Sequence, residues 1–374
     1  MQPMPEIFDV CIRGDGVVGR SLALLLARDG LRVAWVAKPK LSAVVADVRA
    51  YALNHQSREL LKSLRCWPTE PASTPVLEMR VSDDALATLN FSAAEQGEPA
   101  LTWIVDVAAL ETLLEEAIRF QPKIETMQAA PKARLTVVCE GQRSLSREGF
   151  GVDFDVQAYG QQALAARVKC EQAHRQTARQ WFYQGEVLAF LPLDGQNGHT
   201  VAVVWSVTPE RAADLLVCSP QVFCEALEKT SQFALGALTL GSERAIWPLQ
   251  KAQAKRWTGQ TDGAVWVLAG DAAHNVHPLA GQGLNLGLAD VAALARILRQ
   301  RDYWRPLNDP RLLRAYERER KAGVFAMEAG IDGLQVLFSH NNRLLSALRQ
   351  MGMKGFERSS KLKQWVAGLA MGVR

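Results

Sequence analysis

The sequence has no run of about 18 uninterrupted apolar residues, and none of its six cysteines stands in a C-x-x-C pair. The first absence argues against a membrane-spanning helix. Several cysteines lie in apolar, strand-like runs, so we interpret them as buried reduced thiols of a cytoplasmic protein. The amino terminus shows no long apolar core behind a basic start, so a secretory signal is not expected.

A strong charge of one sign is also absent. The net charge is +4, charged residues make up 22% of the chain, and the basic residues are scattered, which argues against nucleic acid as a partner. The length of 374 residues exceeds that of one typical domain. About two domains with a large core are therefore expected.

A glycine-rich turn stands near the amino terminus. The apolar run at residues 7–13 leads directly into Gly14-Asp15-Gly16-Val17-Val18-Gly19, and a helical pattern then precedes a second apolar run at residues 32–37. This order of strand, turn, helix and strand predicts a dinucleotide-binding site. Gly14, Gly16 and Gly19 would permit the tight turn, the approach of a pyrophosphate and the close packing of helix on strand.

The most informative run follows the apolar segment Ala264-Val265-Trp266-Val267-Leu268-Ala269 and reads Gly270-Asp271-Ala272-Ala273-His274-Asn275-Val276-His277-Pro278-Leu279-Ala280-Gly281-Gln282-Gly283-Leu284-Asn285. A carboxylate at the end of a buried strand can accept hydrogen bonds from sugar or ribityl hydroxyl groups. Pro278 stiffens the chain, and Gly281 and Gly283 let the backbone approach a flat ring. The run predicts a cofactor site; a strand, a loop and a surface helix without a ligand are the alternative.

The same run resembles, almost position for position, the second flavin motif of the class A FAD-dependent aromatic monooxygenases, and within them the ubiquinone-biosynthesis hydroxylase family. The resemblance implies that Asp271 holds the ribityl chain of FAD. It also implies that Pro278, Gly281, Gln282 and Gly283 lie against the isoalloxazine ring. Gly270 and Asn285 belong to the same motif and are likewise expected to contact FAD.

Two further segments resemble that family. Asp47-Val48-Arg49-Ala50-Tyr51-Ala52-Leu53 matches its D-x-R-x-x-A-L segment, which implies that Arg49 lies near the pyrophosphate and the mobile flavin. An exposed helix start is the alternative interpretation of Arg49. Cys139-Glu140-Gly141 stands where the family has Ala-Asp-Gly, a pair that serves both flavin and reduced nicotinamide. Glu140 and Gly141 are therefore expected at the cofactor, with NAD(P)H as the electron donor.

Two positions depart from these patterns. The dinucleotide fingerprint expects an acidic residue at the end of its second strand to bind the adenosine ribose, but Ala37 occupies that position. Either another group holds the ribose, or the cofactor loses a charge-assisted hydrogen bond worth about 1.5 to 3 kcal/mol. Glu140 replaces the family's Asp, keeping the charge and adding one methylene group.

The resemblance and the strand pattern together predict an α/β (α+β) fold. It consists of a Rossmann-like FAD-binding domain, a discontinuous β-sheet substrate domain like that of para-hydroxybenzoate hydroxylase, and carboxyl-terminal helices. The FAD-binding domain is expected at residues 1–75, 106–150 and 255–300. Residues 76–105 and 151–254 would form the substrate sheet, and residues 301–374 the helical region.

The carboxyl-terminal segment is basic. Residues 343–374 carry seven Lys or Arg residues against one acid, interleaved with Leu, Met and Trp. This composition indicates peripheral contact with an anionic membrane at its inner face. A solvated helical cap is the alternative.

Taken together, the resemblance implies hydroxylation of a lipophilic aromatic substrate, a polyprenylated phenol or quinone precursor, through a flavin hydroperoxide. His277 is the candidate catalytic acid or base, whereas His274 is interpreted as structural. A weakly catalytic or non-catalytic accessory protein, associated with other quinone-biosynthesis proteins, is the alternative that Ala37 and Glu140 motivate. A halogenase is not favoured, because the sequence has no W-x-W-x-I-P segment.

Overall fold

The computed structural model describes residues 7–37, 48–82, 88–275 and 283–339, the side chains of 328–339 excepted. The helices of this part are α1 (Val17–Arg28), α2 (His55–Ser63), α3 (Ala93–Gln96), α4 (Val107–Arg119), α5 (Leu145–Gly149), α6 (Pro209–Val217), α7 (Pro220–Thr230), α8 (Gly283–Arg299) and α9 (Pro310–Ser339). Within the same ranges, no helix combines the length and the apolar character needed to cross a bilayer.

The strands are β1 (Phe8–Arg13), β2 (Val33–Val36), β3 (Ala50–Leu53), β4 (Ser73–Val76), β5 (Glu78–Ser82), β6 (Thr88–Ser92), β7 (Thr102–Asp106), β8 (Ile124–Met127), β9 (Ala133–Val138), β10 (Phe154–Cys170), β11 (Thr177–Tyr183), β12 (Glu186–Pro192), β13 (Thr200–Val207), β14 (Leu238–Leu240), β15 (Ala245–Ala254), β16 (Thr258–Thr261), β17 (Ala264–Leu268) and β18 (His274–Asn275). They form three sheets.

The first sheet has six strands in the order β16-β17-β9-β1-β2-β8. β1 runs parallel to both β2 and β9, and β17 runs parallel to β9. Helix α1 packs between α4 and α8, and ten of its 12 residues are buried. Parallel strands need such covering helices, which explains why their apolar runs were readable in the sequence. The carboxyl ends of β1, β9 and β17 consequently meet at one edge of the sheet.

The second sheet has nine strands, eight of them in the order β18-β15-β10-β13-β12-β11-β5-β6, with β14 paired to β10. One face packs against α6 and α7 and buries large side chains, including Leu188, Phe190 and Trp205. Along each strand, successive side chains point to opposite faces of the sheet. Leu164 and Trp205 are paired on the covered face, whereas the smaller Ala165 and Val204 are paired on the opposite face. The two faces therefore differ in the space they leave free.

A third sheet has three strands in the order β3-β7-β4. Because β3 and β4 come from the predicted segment 1–75 and β7 from 76–105, this small sheet spans the expected boundary. β5, β6 and β10 to β15 all belong to the large sheet, and β18, which directly follows the Gly270 turn, pairs with β15. The precise domain limits stay a prediction.

Candidate functional site

A cavity of about 580 Å³ opens between the edge of the six-stranded sheet and the small-residue face of the nine-stranded sheet. From the first sheet and its loops it is lined by Asp15, Gly16, Val17, Val18, Arg49, Glu111, Glu140, Gly141, Gly270, Asp271 and Gly283. From the second it is lined by Ala163, Ala165, Gln180, Val187, Ala189, Leu191, Ala202, Val204, Ser206 and Trp247. The cavity therefore brings most of the predicted motif residues that the structure describes to one place.

The glycine-rich turn is fixed by close backbone contacts. Gly14 has φ +129°, and a Cβ there would lie 2.2 Å from the carbonyl oxygen of Cys139. A Cβ on Gly19 would lie 2.3 Å from the carbonyl oxygen of Gly14. Both positions thus require glycine for the packing of the turn itself.

Gly16 differs from these two glycines. It has an ordinary φ of −78° and forms the N-cap of α1, where no side chain accepts a hydrogen bond from the first turn. A Cβ at Gly16 would meet nothing within 4 Å, and the residue lines the cavity. The first amide groups of a helix have no partner within the helix and favour an anion, so this empty space suits a pyrophosphate.

The turn after β17 is held by a buried carboxylate on α8. Asp290, fully buried, accepts a hydrogen bond from the backbone amide of Gly270 at 2.8 Å and from Nε of Arg320 at 2.7 Å. Nε2 of His274 lies 2.7 Å from the same carboxylate. Burial alone would raise the pKa of Asp290, but His274 and Arg320 outweigh it and hold that pKa below its ordinary value. Since the carboxylate is ionised, Nε2 of His274 carries the proton that joins them.

His274 is therefore part of the structural support of the turn, as interpreted from the sequence. It is buried, and its ring stacks on Trp257 with centroids 4.8 Å apart. Sequence reasoning did not identify Asp290. Its partner Arg320 belongs to α9, where the hydroxyl of Tyr316 donates to the carbonyl of Leu268 at 3.0 Å.

Asp271 lines the cavity next to this supported turn. The residue is exposed to solvent in the cavity. Burial raises the pKa of Asp271, while His274 and Arg49 oppose that rise. In the part of the chain that the structure describes, no hydrogen bond to this carboxylate is found. An acceptor with free lone pairs at this depth fits the hydroxyl groups of a ribityl chain.

Arg49 lines the same cavity and is exposed to it. Its guanidinium donates to the hydroxyl of Tyr51 at 3.2 Å and lies 5.8 Å from the centre of that ring. This placement supplies a cation within electrostatic reach of Asp271. The alternative interpretation, an exposed helix start at Arg49, is not what the structure shows, because β3 begins at the next residue.

Glu140 also reaches the cavity, but its carboxylate is engaged with protein groups. It accepts hydrogen bonds from Ser144 Oγ at 2.8 Å, from the Ser146 amide at 2.9 Å and from Ser146 Oγ at 2.6 Å, and it pairs with Arg13 at 3.2 Å. Burial alone would raise the pKa of Glu140. These hydrogen bonds and Arg13 outweigh that effect and hold the pKa below its ordinary value, so the carboxylate stays charged. Gly141 beside it has φ +75° and lines the cavity.

The side chain of Asn285 forms hydrogen bonds with protein groups. Its Nδ2 donates to the carbonyl of Ala52 at 2.8 Å, and its Oδ1 accepts from the Asn54 amide at 3.0 Å and from Ser57 Oγ at 2.7 Å. The buried amide thus ties α8 to β3 and α2, and it does not line the cavity. Contact between Asn285 and FAD stays a prediction; Gly283, two residues earlier, does line the cavity.

Four predicted residues, Pro278, Gly281, Gln282 and the candidate catalytic His277, lie outside the described residues. Their roles stay predictions. Conversely, the small side chains of the sheet face were not singled out from the sequence. Their signal is the alternation along β12 and β13, which becomes informative only once the register of the sheet is known.

The residues present fit FAD. The uncapped helix start at Gly16 suits the pyrophosphate, and the Asp271 carboxylate suits the ribityl hydroxyl groups. The family described as FAD binding domain matches residues 123–330, more than half of the chain. The chain belongs to this FAD-binding domain family. The predicted cofactor FAD is thereby confirmed.

Two curated relatives of this FAD-binding protein match over almost its whole length. It is 29% identical to the 3-demethoxyubiquinol 3-hydroxylase of Escherichia coli K12, with 98% of each chain covered. It is 28% identical to the ubiquinone hydroxylase UbiL of Rhodospirillum rubrum, with 98% of this chain and 90% of that protein covered. These matches and the family confirm the resemblance that the motifs carried.

Two solved structures show the same fold. The p-nitrophenol 4-monooxygenase PnpA from Pseudomonas putida DLL-E4 superposes with a TM-score of 0.73 at 16% identity, covering 99% of this chain and 100% of that one. PqsL of Pseudomonas aeruginosa, in complex with 2-aminobenzoylacetate, gives a TM-score of 0.70 at 21% identity, covering 97% and 99%. The predicted fold class of this FAD-binding protein is confirmed.

Proposed function

We propose that the protein is an FAD-dependent monooxygenase that hydroxylates the aromatic ring of a lipophilic substrate in ubiquinone biosynthesis. The observation that carries this proposal is the shared cavity, in which the flavin-motif residues Gly270 and Asp271 face the small-residue side of the large sheet. A ring bound on that sheet would lie against the flavin. The names of the two curated relatives support the substrate class.

The sheet face suits a flat apolar ring. Ala163, Ala165, Ala189 and Ala202 line the cavity where larger side chains would fill it. Among these apolar positions, Gln180 and Ser206 offer hydrogen-bonding groups that can orient a phenol or quinone oxygen. The large side chains stand on the opposite face, so they make the sheet rigid without occupying the site.

Bound FAD would supply the oxygen chemistry, with NAD(P)H as the proposed electron donor. The residues of this chain bind and orient. Asp271 would accept hydrogen bonds from the ribityl hydroxyl groups, the start of α1 at Gly16 would bind the pyrophosphate, and Arg49 would balance its charge. His277 is the proposed group that moves a proton, and the apolar sheet face excludes water from the ring.

The direct test uses the purified full chain loaded with FAD. We expect a yellow protein that consumes NADH or NADPH in the presence of a short-chain prenylated phenol and forms a product heavier by one oxygen atom, detected by mass spectrometry with ¹⁸O₂. A chain that binds FAD but yields no hydroxylated product from any prenylated phenol or quinone precursor would contradict the proposal. Deletion of the gene, followed by mass analysis of the accumulated quinone intermediate, would identify the ring position.

A substitution in the sheet face separates substrate binding from cofactor binding. Ala189 is half-buried and faces the cavity, so the ring in Ala189→Phe would occupy the substrate space. We expect a loss of about 10- to 100-fold in kcat/KM, because the substrate ring is displaced, with FAD affinity retained. Ala158→Phe is the matched control, since Ala158 is exposed on β10 and does not line the cavity.

A second candidate function is a weakly catalytic or non-catalytic accessory protein of quinone biosynthesis. The engagement of Glu140 by Ser144, Ser146 and Arg13 favours it, because that carboxylate is occupied at a position expected to serve the nicotinamide. The same purification decides between the two. A colourless chain that cannot be loaded with FAD, and that copurifies with other quinone-biosynthesis proteins, would support the accessory role.

Peripheral membrane contact is also part of the proposal. The basic segment at residues 343–374 lies outside the described residues, so its composition is the support. We expect the full chain to sediment with vesicles that contain anionic lipid and to be released at high salt, because screening weakens the attraction. A chain ending at residue 342 provides the comparison, and equal sedimentation of both chains would contradict the contact.

A further inference from the structure

The adenosine end of the FAD site lacks its expected carboxylate. In a fold of this kind the dinucleotide crosses the carboxyl edge of the sheet, and its adenosine lies on the side of the second strand. Here that side is β2 and β8, because β9 and β17 lie on the other side of β1. At the end of β2 stands Ala37, whose methyl side chain cannot accept a hydrogen bond from a ribose hydroxyl.

Another carboxylate reaches the same place from a neighbouring helix. Glu111 belongs to the second turn of α4, the helix that packs against α1 on the way to β8. The amino-terminal half of α4 lies at the carboxyl edge of the sheet, because β7 leads into it and β8 follows its opposite end. Glu111 lines the cavity together with Asp15, Gly16 and Val17 of the glycine-rich turn.

Arg20 fixes this carboxylate relative to β2. The guanidinium of Arg20, which is buried, donates to the backbone carbonyl of Glu111 at 3.1 Å and lies 5.8 Å from the centre of the Trp35 ring. Trp35 in turn belongs to β2 and donates from Nε1 to the carbonyl of Gly14 at 3.0 Å. Glu111, β2 and the glycine-rich turn are therefore linked through two side chains, those of Arg20 and Trp35.

The carboxylate of Glu111 keeps its capacity to accept hydrogen bonds. Its nearest oxygen lies 3.8 Å from Nη1 of Arg20, beyond hydrogen-bond distance, and 37% of the side chain is exposed. No donor to it is found within the described ranges 7–37, 48–82, 88–275 and 283–327. Arg20 thus provides a favourable charge while the oxygens remain available to a ligand.

We propose that Glu111 binds the adenosine ribose hydroxyl groups of FAD, in place of the carboxylate that the end of β2 lacks. This inference rests on the FAD binding of the proposed function but not on the hydroxylation. The ligand class is a vicinal diol on a nucleoside diphosphate. A carboxylate on α4 performs this role without any change to β2, because α1 brings both elements to the same turn.

The test compares FAD with FMN, which lacks the adenosine. Glu111→Gln keeps the shape of the side chain and the carbonyl that holds Arg20. We expect its FAD dissociation constant, measured by flavin fluorescence on the apoprotein, to rise about tenfold, as for a lost charge-assisted hydrogen bond. Its FMN dissociation constant should not change. Glu116→Gln is the matched control, because Glu116 lies on the same helix, is exposed and does not line the cavity.

A rescue variant sharpens the result. Placing an acid at the end of β2 with Ala37→Glu in the Glu111→Gln background should recover FAD affinity and leave FMN affinity unchanged. Wild-type FAD affinity in Glu111→Gln, or an equal loss of FAD and FMN affinity, would overturn the inference. If the wild-type chain binds neither flavin, the proposed function itself fails; if it binds FAD and hydroxylates while Glu111→Gln is unaffected, only the role of Glu111 fails.

Discussion

At the flavin end of the site, charged side chains fix the Gly270 turn, whereas at the adenosine end backbone contacts fix the turn at Gly14. The Asp290 carboxylate accepts hydrogen bonds from the Gly270 amide, His274 and Arg320. These three donors belong to different segments, and all of them are buried or nearly so. Gly14 is instead enclosed by the backbone of Cys139. The flavin end therefore depends on charge and pH, and the adenosine end depends on the absence of a side chain.

The two ends should respond to substitutions in opposite ways. A buried charge network fails when one partner is removed, because the others are left unpaired. A turn held by contact between backbones fails when any atom is added. Substitutions at the two ends test these opposite sensitivities, and the largest effect on the free energy of unfolding is expected at the flavin end.

Asp290→Ala should be the most damaging of these changes. It leaves the buried Arg320 guanidinium and the Gly270 amide without their acceptor, so we expect a loss of about 3 to 5 kcal/mol in the free energy of unfolding. Chemical denaturation followed by fluorescence measures this loss. Asp302→Ala is the control, because water screens the exposed ion pair between Asp302 and Arg305, so its loss should change stability far less. A similar loss in the free energy of unfolding of both variants would contradict the role assigned to the buried charge network.

The same residue predicts the pH dependence of the flavin end. The folded-state pKa of Asp290 lies below the ordinary value of 3.8, so its contribution is fully present above that pH. The contribution is lost as the pH falls through the lower folded-state value. The stability difference between the wild type and Asp290→Ala should therefore be constant at neutral pH and shrink in strong acid. A difference that grows on acidification would contradict this assignment.

The adenosine end is tested by two neighbouring glycines. Gly14→Ala forces a Cβ against the Cys139 carbonyl at a positive φ, so we expect a loss of about 2 to 4 kcal/mol in stability together with weaker FAD binding. Gly16→Ala adds the same methyl group at an ordinary φ with open space around it. We expect wild-type stability and an FAD affinity lower by at least about tenfold, because the methyl group occupies the pyrophosphate space.

These two variants are checked by thermal melting of the apoprotein and by flavin titration. Equal stability losses in both would show that the fingerprint glycines serve packing alone. Normal FAD binding by Gly16→Ala would remove the pyrophosphate from the start of α1. Neither variant should change how stability varies with pH, because no titrating group is altered.

Local patterns in the sequence predicted β1 and β17 closely, because apolar runs beside glycine turns are determined by neighbouring residues. The Asp290 network was not predictable in this way. Asp290 meets Arg320 from another helix, 30 positions along the chain, and the partners of Asn285 lie 228 to 233 positions away. Contacts between residues so far apart in the chain depend on the packing of whole elements, which a local pattern does not contain.

The small-residue face of the large sheet shows a second limit. Ala189 and Ala202 look unremarkable within their strands, since each is one apolar residue among others. They gain meaning from the register, which places Ala189 opposite Val204 and Ala202 opposite Leu191 on the cavity side. Register depends on strand pairing across the sheet, which a single sequence without that pairing does not provide.

A small effect on stability, opposite in sign to that of Asp290→Ala, is expected for Asp271→Asn, which separates binding from folding at the flavin end. Burial raises the pKa of Asp271, so the ionised carboxylate costs stability in the folded apoprotein above pH 3.8, its ordinary pKa. Removing the charge should raise the melting temperature of the apoprotein by no more than about 2 °C, because solvent in the cavity screens it. FAD affinity should fall about tenfold, because an amide oxygen is a weaker acceptor for ribityl hydroxyl groups.

Asp262→Asn is the control for that variant, since Asp262 is exposed in the turn between β16 and β17. It should change neither the melting temperature nor the FAD affinity. A stability loss in Asp271→Asn comparable with that in Asp290→Ala would mean that Asp271 supports the turn, as Asp290 does. Unchanged stability with weakened FAD binding instead assigns the two carboxylates, 19 positions apart, to different tasks: Asp290 holds the protein and Asp271 holds the ligand.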